Sequence, residues 1–315
     1  MNSEKISSTA LTAWIFAAIV PTTIQLTSGT PWTAMLPAVI ICLFCVGLRW
    51  KWGTNPPGKA YALISILLLI LLLGVLLQNT ADCWPQSKRK TIPLILLALA
   101  LWSARKGTKA AASVGCLLFW FLLIMYLILL GAGVQSVEVK WLRPELGDIS
   151  ALGCILLLTP AVAAVHLPEK QSMKPRLILC GIVCIAATVV TCGVLSLPVA
   201  QTQPYPFYQM TRHLTLFGKA RRFEAVLSAG TAVGWFALFS LYLTSVQKMG
   251  EQIAEGWGKK SAILGAVTSG SYLLTGWKLP PIIMLISATL LWVLLPLGYT
   301  GISKIKKSKK SEKRA

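Results

Sequence analysis

The chain has 315 residues, of which 55% are hydrophobic and 13% are charged, and its mean hydropathy is +0.69. A soluble globular protein of this size carries more charge, so the composition predicts an integral membrane protein. The net charge of +20 does not indicate nucleic-acid binding, because the basic residues separate apolar stretches instead of forming one basic face. We therefore expect a lipid membrane around the protein and no nucleic-acid partner.

No set of polar residues in the sequence has the spacing of a catalytic or metal-binding site. The two histidines, His166 and His213, are far apart and have no cysteine or carboxylate at metal-ligand spacing beside them. Seven of the eight cysteines fall within apolar stretches, where a cysteine is usually a free, buried thiol. We expect a protein that is not an enzyme and that binds neither a metal nor a cofactor.

Apolar stretches that can form membrane-crossing helices of about 20 residues occur along the whole chain. Ten are predicted, near 9–29, 31–49, 60–79, 91–104, 110–133, 149–167, 175–197, 223–247, 260–276 and 279–302. The fourth is shorter than the others, so nine spans are the alternative. Of the 30 lysines and arginines, 20 fall in pieces that face the cytoplasm if the N-terminus is inside. This bias predicts that both termini are cytoplasmic.

Ten spans divide into two sets of five. Because five is an odd number, the second set enters the bilayer from the opposite side, and the two sets form an inverted repeat. We predict a single transmembrane domain over 1–302, with the first repeat at about 9–133 and the second at about 149–302. The lysine-rich residues 303–315 predict a basic cytoplasmic tail beside anionic lipid.

Each repeat begins with a span that contains a proline near its middle, Pro21 in span one and Pro160 in span six. Proline removes a helical hydrogen bond, and hydrocarbon offers no water to the freed backbone groups. We therefore expect helices 1 and 6 to be broken, with the breaks facing a shared cavity in mid-membrane. A simple packing kink at Pro160 is the alternative. The predicted ligand-binding residues are Pro21, Thr22, Thr23, Gln25, Thr159 and Pro160.

Acidic residues are almost absent from the predicted spans. Glu224 is the only one near the start of a span, and the other nine lie in loops or tails. A proton-coupled transporter usually has a carboxylate within the membrane, because proton relay needs a titratable group there. The pattern therefore disfavours proton coupling, although the polar residues after Pro21 leave a sodium site open.

A polar segment separates spans seven and eight. After Pro206, apolar residues recur at three- and four-residue spacing beside Arg212 and His213, which predicts an amphipathic helix on the outer membrane surface. Arg222 and Glu224 then open span eight. A lid over the cavity is the alternative interpretation of this segment.

This segment has a distinctive order: a proline with aromatic residues, an arginine, and an Arg-Phe-Glu run that leads into an aromatic-rich span. The positions are Pro206, Phe207, Tyr208, Arg212, Arg222, Phe223 and Glu224, followed by Trp235, Phe236, Phe239 and Tyr242. The order resembles the B subunits of spore germinant receptors, a branch of the amino acid-polyamine-organocation (APC) superfamily. Ile6, Ser7 and Ser8 before span one, and Trp32 at the start of span two, are similar to the start of that family.

The resemblance implies an all-α, LeuT-like bundle of about ten transmembrane helices, in which broken helices 1 and 6 enclose a small nutrient, commonly an amino acid. It implies a multi-pass protein that works with A and C receptor subunits in the spore inner membrane of a spore-forming bacterium. Ligand binding would shift a conformational equilibrium that the partner subunits detect. Two alternatives remain, an amino-acid permease of the same superfamily and a related protein that acts only as a scaffold.

Overall fold

A computed structural model describes residues 8–27, 29–51, 58–84, 88–142, 174–203, 205–214, 224–277 and 281–290, together with position 298. Within these ranges the structure is helical and contains no β-strand. The helices are α1 (Ser8–Thr27), α2 (Trp32–Lys51), α3 (Lys59–Asp82), α4 (Thr91–Arg105), α5 (Thr108–Val134), α6 (Lys174–Leu195), α7 (Leu197–Thr202), α8 (Pro206–His213), α9 (Glu224–Ile253), α10 (Trp257–Thr275) and α11 (Pro281–Thr289), with a short 3₁₀ helix at Val139–Trp141.

Five of the described helices are long and apolar enough to cross a membrane. They are Thr9–Thr27, Lys59–Asp82, Thr108–Val134, Ile178–Leu195 and Ala225–Ile253. Helix α4 is apolar but shorter, with 15 residues. The structure therefore supports an all-α membrane protein. The sixth predicted span, 149–167, and the tail, 303–315, lie outside the described residues, so ten spans and the 5+5 inverted repeat stay predictions.

Helix α5 has two faces that match a position between lipid and protein. One face exposes large apolar side chains at helical spacing, and Leu117 is 76% exposed. The others on this face are Trp120, Phe121, Ile124, Leu127 and Ile128. The opposite face is buried and includes Leu122, Tyr126 and Leu129. A continuous exposed apolar face is unfavourable in water and favourable in hydrocarbon, which agrees with a membrane location.

Helices α1 and α9 form the centre of the bundle. Helix α9 packs against α1, α3, α4, α5 and α10, and α1 also packs against α5 and α6. Glycines allow neighbouring helices to approach α1 closely. A Cβ added at Gly115 of α5 would lie 2.6 Å from Trp14, and a Cβ added at Gly234 of α9 would lie 2.5 Å from Pro21. Helices α1 and α9 are also joined by the Trp14 indole, whose Nε1 donates to the Ala237 carbonyl at 3.2 Å and to Ser240 Oγ at 3.1 Å.

Helix α1 runs unbroken through Pro21, so the prediction that helix 1 is broken is wrong. Pro21 has no N–H to donate to the Ala17 carbonyl, so one helical hydrogen bond is missing. This turn of α1 packs against α9, where a Cβ added at Gly234 would be 3.4 Å from the Ala17 oxygen. In the following turn, Thr22 Oγ1 donates to the carbonyls of Ala18 at 2.6 Å and Ile19 at 3.1 Å. Helix α1 therefore contains the proline at a turn that packs closely against α9, and the Thr22 hydroxyl bonds to the two carbonyls that follow Ala17. The predicted break in helix 6 lies outside the described residues.

One end of the bundle gathers the C-termini of α1, α3, α5 and α6 together with helix α8. Contacts across this end include Cys192 Sγ to the Thr30 carbonyl at 3.7 Å and the Glu138 amide to the Gly193 carbonyl at 2.9 Å. Gly29 lies against α8, since its added Cβ would be 3.1 Å from Pro206 Cγ. The orientation predicted from lysine and arginine places this end outside the membrane, and we call it the outer end.

Candidate functional site

A cavity of about 650 Å³ opens at the outer end, between α1, the α3–α4 connection, α5, α8 and α9. This volume is in the range of sites that bind small molecules. Its lining consists of Pro21, Ile24 and Gln25 of α1; Asp82, Cys83, Trp84, Lys88 and Ile92 around the α3–α4 connection; Tyr126 of α5; Tyr205, Phe207, Tyr208 and Gln209 at α8; and Leu227, Ser228 and Thr231 of α9.

The cavity extends from an exposed mouth to a buried floor. Lys88 is exposed, whereas the side chains of Pro21 and Tyr126 are buried. Pro21 precedes the end of α1 at Thr27 by six residues, or about 9 Å along the helix. The cavity therefore reaches well into the part of the bundle that crosses the membrane.

The structure separates the predicted ligand-binding residues of α1 into two groups. Pro21 and Gln25, one helical turn apart, line the cavity. Thr22 and Thr23 are buried but do not line it, because they are rotated by about 100° and 200° from Pro21. Thr23 instead lies beside Cys184 of α6. A ligand-binding role for any of these four stays a prediction, and Thr159 and Pro160 lie outside the described residues.

Gln25 connects the cavity to α9. Its Oε1 accepts a hydrogen bond of 2.9 Å from Nε1 of Trp235, whose side chain is fully buried. The Trp235 ring packs against Phe239 at 5.8 Å between ring centroids. A buried indole N–H needs an acceptor, so Gln25 has a structural role in addition to facing the cavity.

The predicted 206–224 motif also contains residues that line the cavity and residues that do not. The segment after Pro206 is helical, as predicted, and Pro206 is buried against the end of α1 while Phe207 lines the cavity. Arg212 is exposed on α8, away from the cavity lining. Glu224 begins α9, and Arg222 lies outside the described residues.

The mouth of the cavity contains a polar cluster that the sequence did not indicate. The Tyr205 hydroxyl lies beside the Cys83 thiol, and Asp82 forms an ion pair with Arg89. Burial raises the pKa of Cys83 to about 12, and burial together with the neighbouring thiol raises the pKa of Tyr205. Both groups are therefore neutral at pH 7, and the charges at the mouth belong to Asp82, Lys88 and Arg89.

Tyr126 is a further lining residue that sequence analysis missed, whereas Tyr208, which also lines the cavity, belongs to the predicted motif. The rings of Tyr126 and Phe207 are 5.9 Å apart between centroids, at an interplanar angle of 42°. Tyr126 is the only tyrosine among the apolar residues of α5, and this was the one available signal. Among the described residues, no group of three or more histidine, cysteine, aspartate or glutamate side chains has an arrangement that would hold a metal ion.

Comparison with known proteins adds no identification to this geometry. Neither the protein-family models nor the curated proteins compared with the chain give a match.

Proposed function

We propose that the protein is a membrane sensor that binds a small nutrient, of the amino-acid class, in the cavity at the outer end of the bundle. Following the resemblance of the 206–224 motif, it acts as the ligand-binding subunit of a spore germination receptor, together with A and C subunits in the spore inner membrane. Ligand binding favours one conformation of the bundle, and the partner subunits respond to that change.

The observation that carries the proposal is the meeting of two sequence segments at one cavity. Pro21 and Gln25 are predicted ligand-binding residues because a proline and polar residues interrupt an apolar span, and Phe207 belongs to the motif after span seven that carries the resemblance. These segments are far apart in the chain, yet both line the same cavity of about 650 Å³. A convergence of independently chosen residues on a small-molecule-sized cavity supports a binding site there.

The distribution of charge favours sensing over proton-coupled transport. In the described helices, the charged residues lie near helix ends, as Lys59 and Asp82 do in α3 and Lys248 and Glu251 do in α9. A proton relay requires a titratable group deeper in the membrane. An amino-acid permease is the second candidate, because the cavity reaches toward mid-membrane and a permease needs a site at that depth.

Reconstitution tests the two candidates together. The full-length protein in lipid nanodiscs is screened for thermal stabilisation by each amino acid, and the same protein in liposomes is tested for uptake of any labelled ligand. A ligand at 100 times its Kd should stabilise the folded state by about 2.7 kcal/mol. Stabilisation without uptake supports the sensor. Saturable, gradient-driven uptake in the absence of partner subunits supports the permease instead, and no stabilisation by any nutrient, with A and C subunits present, contradicts both.

A further inference from the structure

The two ends of the cavity differ in chemistry. The mouth carries charges of both signs, from Asp82 and Lys88. The floor is formed by apolar and aromatic side chains, among them Ile24, Tyr126 and Phe207. A ligand that fills the cavity therefore needs a polar, charged end and a bulky apolar end.

The mouth attracts a carboxylate more strongly than a cation. Residues 82–90 contain Asp82 but three basic residues, Lys88, Arg89 and Lys90, so this segment has a net charge of +2. Arg89 is paired with Asp82, and Lys90 Nζ donates to the Leu274 carbonyl at 3.1 Å on the neighbouring helix α10. Lys88 is an exposed lining residue at the mouth, so a ligand carboxylate that enters the cavity passes its positive charge. Asp82, which also lines the cavity, is an acceptor for a ligand ammonium group.

The floor excludes charge and favours hydrocarbon. Tyr126 is 1% exposed and Phe207 is 2% exposed, and the lining also includes the apolar Pro21, Ile24 and Leu227 and the neutral polar Gln25 and Thr231. Among the described lining residues, no carboxylate or amine lies at this end. Because an unpaired charge is costly to bury and an apolar or aromatic group is favourable to bury, the charged part of a ligand stays at the mouth.

We propose that the cavity is selective for an amino acid with a large apolar or aromatic side chain, bound with its carboxylate at Lys88 and its side chain against the floor that Tyr126 and Phe207 form together. This inference rests on the proposed function and specifies the ligand of the same site. A small amino acid such as alanine reaches the charges at the mouth but leaves the apolar floor empty. It therefore binds more weakly.

The test compares three probes on the full-length protein in nanodiscs by calorimetry. L-Phenylalanine carries both features, L-alanine lacks the large side chain, and L-phenylalaninamide lacks the carboxylate. We expect phenylalanine to bind at least about tenfold more tightly than alanine, because an aromatic ring becomes buried. Lys88→Gln should weaken phenylalanine binding about two- to fivefold at low salt and leave binding of the amide unchanged. Lys59→Gln, at the opposite end of the bundle, is the matched control and should change neither.

A second pair of variants tests the position of the ligand in the cavity. Ser228 lines the cavity and Ala229 is the exposed residue next to it on α9. Ser228→Phe should abolish phenylalanine binding by filling the space, whereas Ala229→Phe should retain it, provided that both variants elute as folded protein.

The outcomes separate this inference from the proposed function. If alanine binds as tightly as phenylalanine, or if Lys88→Gln leaves phenylalanine binding unchanged, the inference is overturned while the cavity stays a nutrient site. Binding of phenylalanine to Ser228→Phe as tight as to the unmodified protein would also overturn it, since the ligand would then lie elsewhere. If no amino acid binds, both the inference and the proposed function are overturned.

Discussion

Gly234 tests whether α1 tolerates Pro21 because of its contact with α9. A Cβ added at Gly234 would lie 2.5 Å from Pro21 Cβ and 2.8 Å from Pro21 Cγ. An ordinary carbon–carbon contact is about 3.5–4.0 Å, so the helices would have to separate by about 1 Å. The proline ring is fixed to the backbone and cannot rotate away. Overpacking of this kind costs about 1–3 kcal/mol, so we expect Gly234→Ala to be less stable than a glycine-to-alanine control without this contact by about 2 kcal/mol.

Gly131→Ala is the matched control, because Gly131 lies within α5 and its added Cβ meets no atom within 4 Å. Both substitutions replace a helical glycine with alanine, which by itself stabilises the folded protein by about 0.5–1 kcal/mol. Their difference therefore measures the contact with Pro21. The measurement is the free energy of unfolding in detergent, from denaturant titration followed by circular dichroism. Equal stability of the two variants would show that the α1–α9 contact at Pro21 is not tight, and the explanation for the unbroken helix would be refuted.

Three further predictions concern residues at or beside the cavity. Gln25→Leu should destabilise the protein by about 1–3 kcal/mol, because it leaves the Trp235 indole without an acceptor. In a double-mutant cycle, Gln25→Leu should cost less stability when Trp235→Phe is already present. If the two substitutions have additive effects on stability, the hydrogen bond is contradicted. In a variant that keeps Cys83 as its only cysteine, the maleimide labelling rate should rise about tenfold per pH unit up to at least pH 10. The reason is that a Cys83 pKa of about 12 leaves only a small thiolate fraction at lower pH. A labelling rate that levels off near pH 9 would contradict the raised pKa. Thr22→Val should retain ligand-induced stabilisation, because within the described part of the chain the Thr22 hydroxyl bonds to carbonyls of its own helix and is not part of the lining. A tenfold loss of affinity would place Thr22 in the site.

The helices of the described regions could be predicted from sequence because the apolar runs have the length of a membrane span. The predicted spans 60–79 and 110–133 fall within Lys59–Asp82 and Thr108–Val134. The prediction of a break at Pro21 failed because it counted the hydrogen bond that proline removes and could not include the surroundings. The turn that contains the proline packs against Gly234, which lies more than 200 positions further along the chain.

The site could be predicted only where the residues of one helix share a face. Pro21 and Gln25 are four positions apart, so a cavity on one side of α1 contacts both, while the intervening Thr22 and Thr23 point elsewhere. The opposite walls depend on packing between distant helices. Tyr126 lies in a strongly apolar part of α5, and nothing in its local sequence indicates that its ring contacts Phe207 at the floor of the cavity.

The packing of α1 against α9 constrains how the proposed sensor transmits ligand binding. The two helices are joined before Pro21 by Trp14, after it by Gln25, and at Pro21 itself by Gly234. A ligand on one face of this pair therefore cannot act by re-forming a broken helix, since α1 is already continuous. In the proposed sensor the ligand would instead favour one position of the joined α1–α9 pair relative to the other walls of the cavity, which requires contacts that differ between two states. Helix α9 continues to Ile253 at the end opposite the mouth, where Ser261 of α10 donates to the Val246 carbonyl at 3.2 Å. In the proposed sensor, a shift of the pair would displace α9 at the end opposite the mouth, and the proposed partner subunits would respond to that displacement.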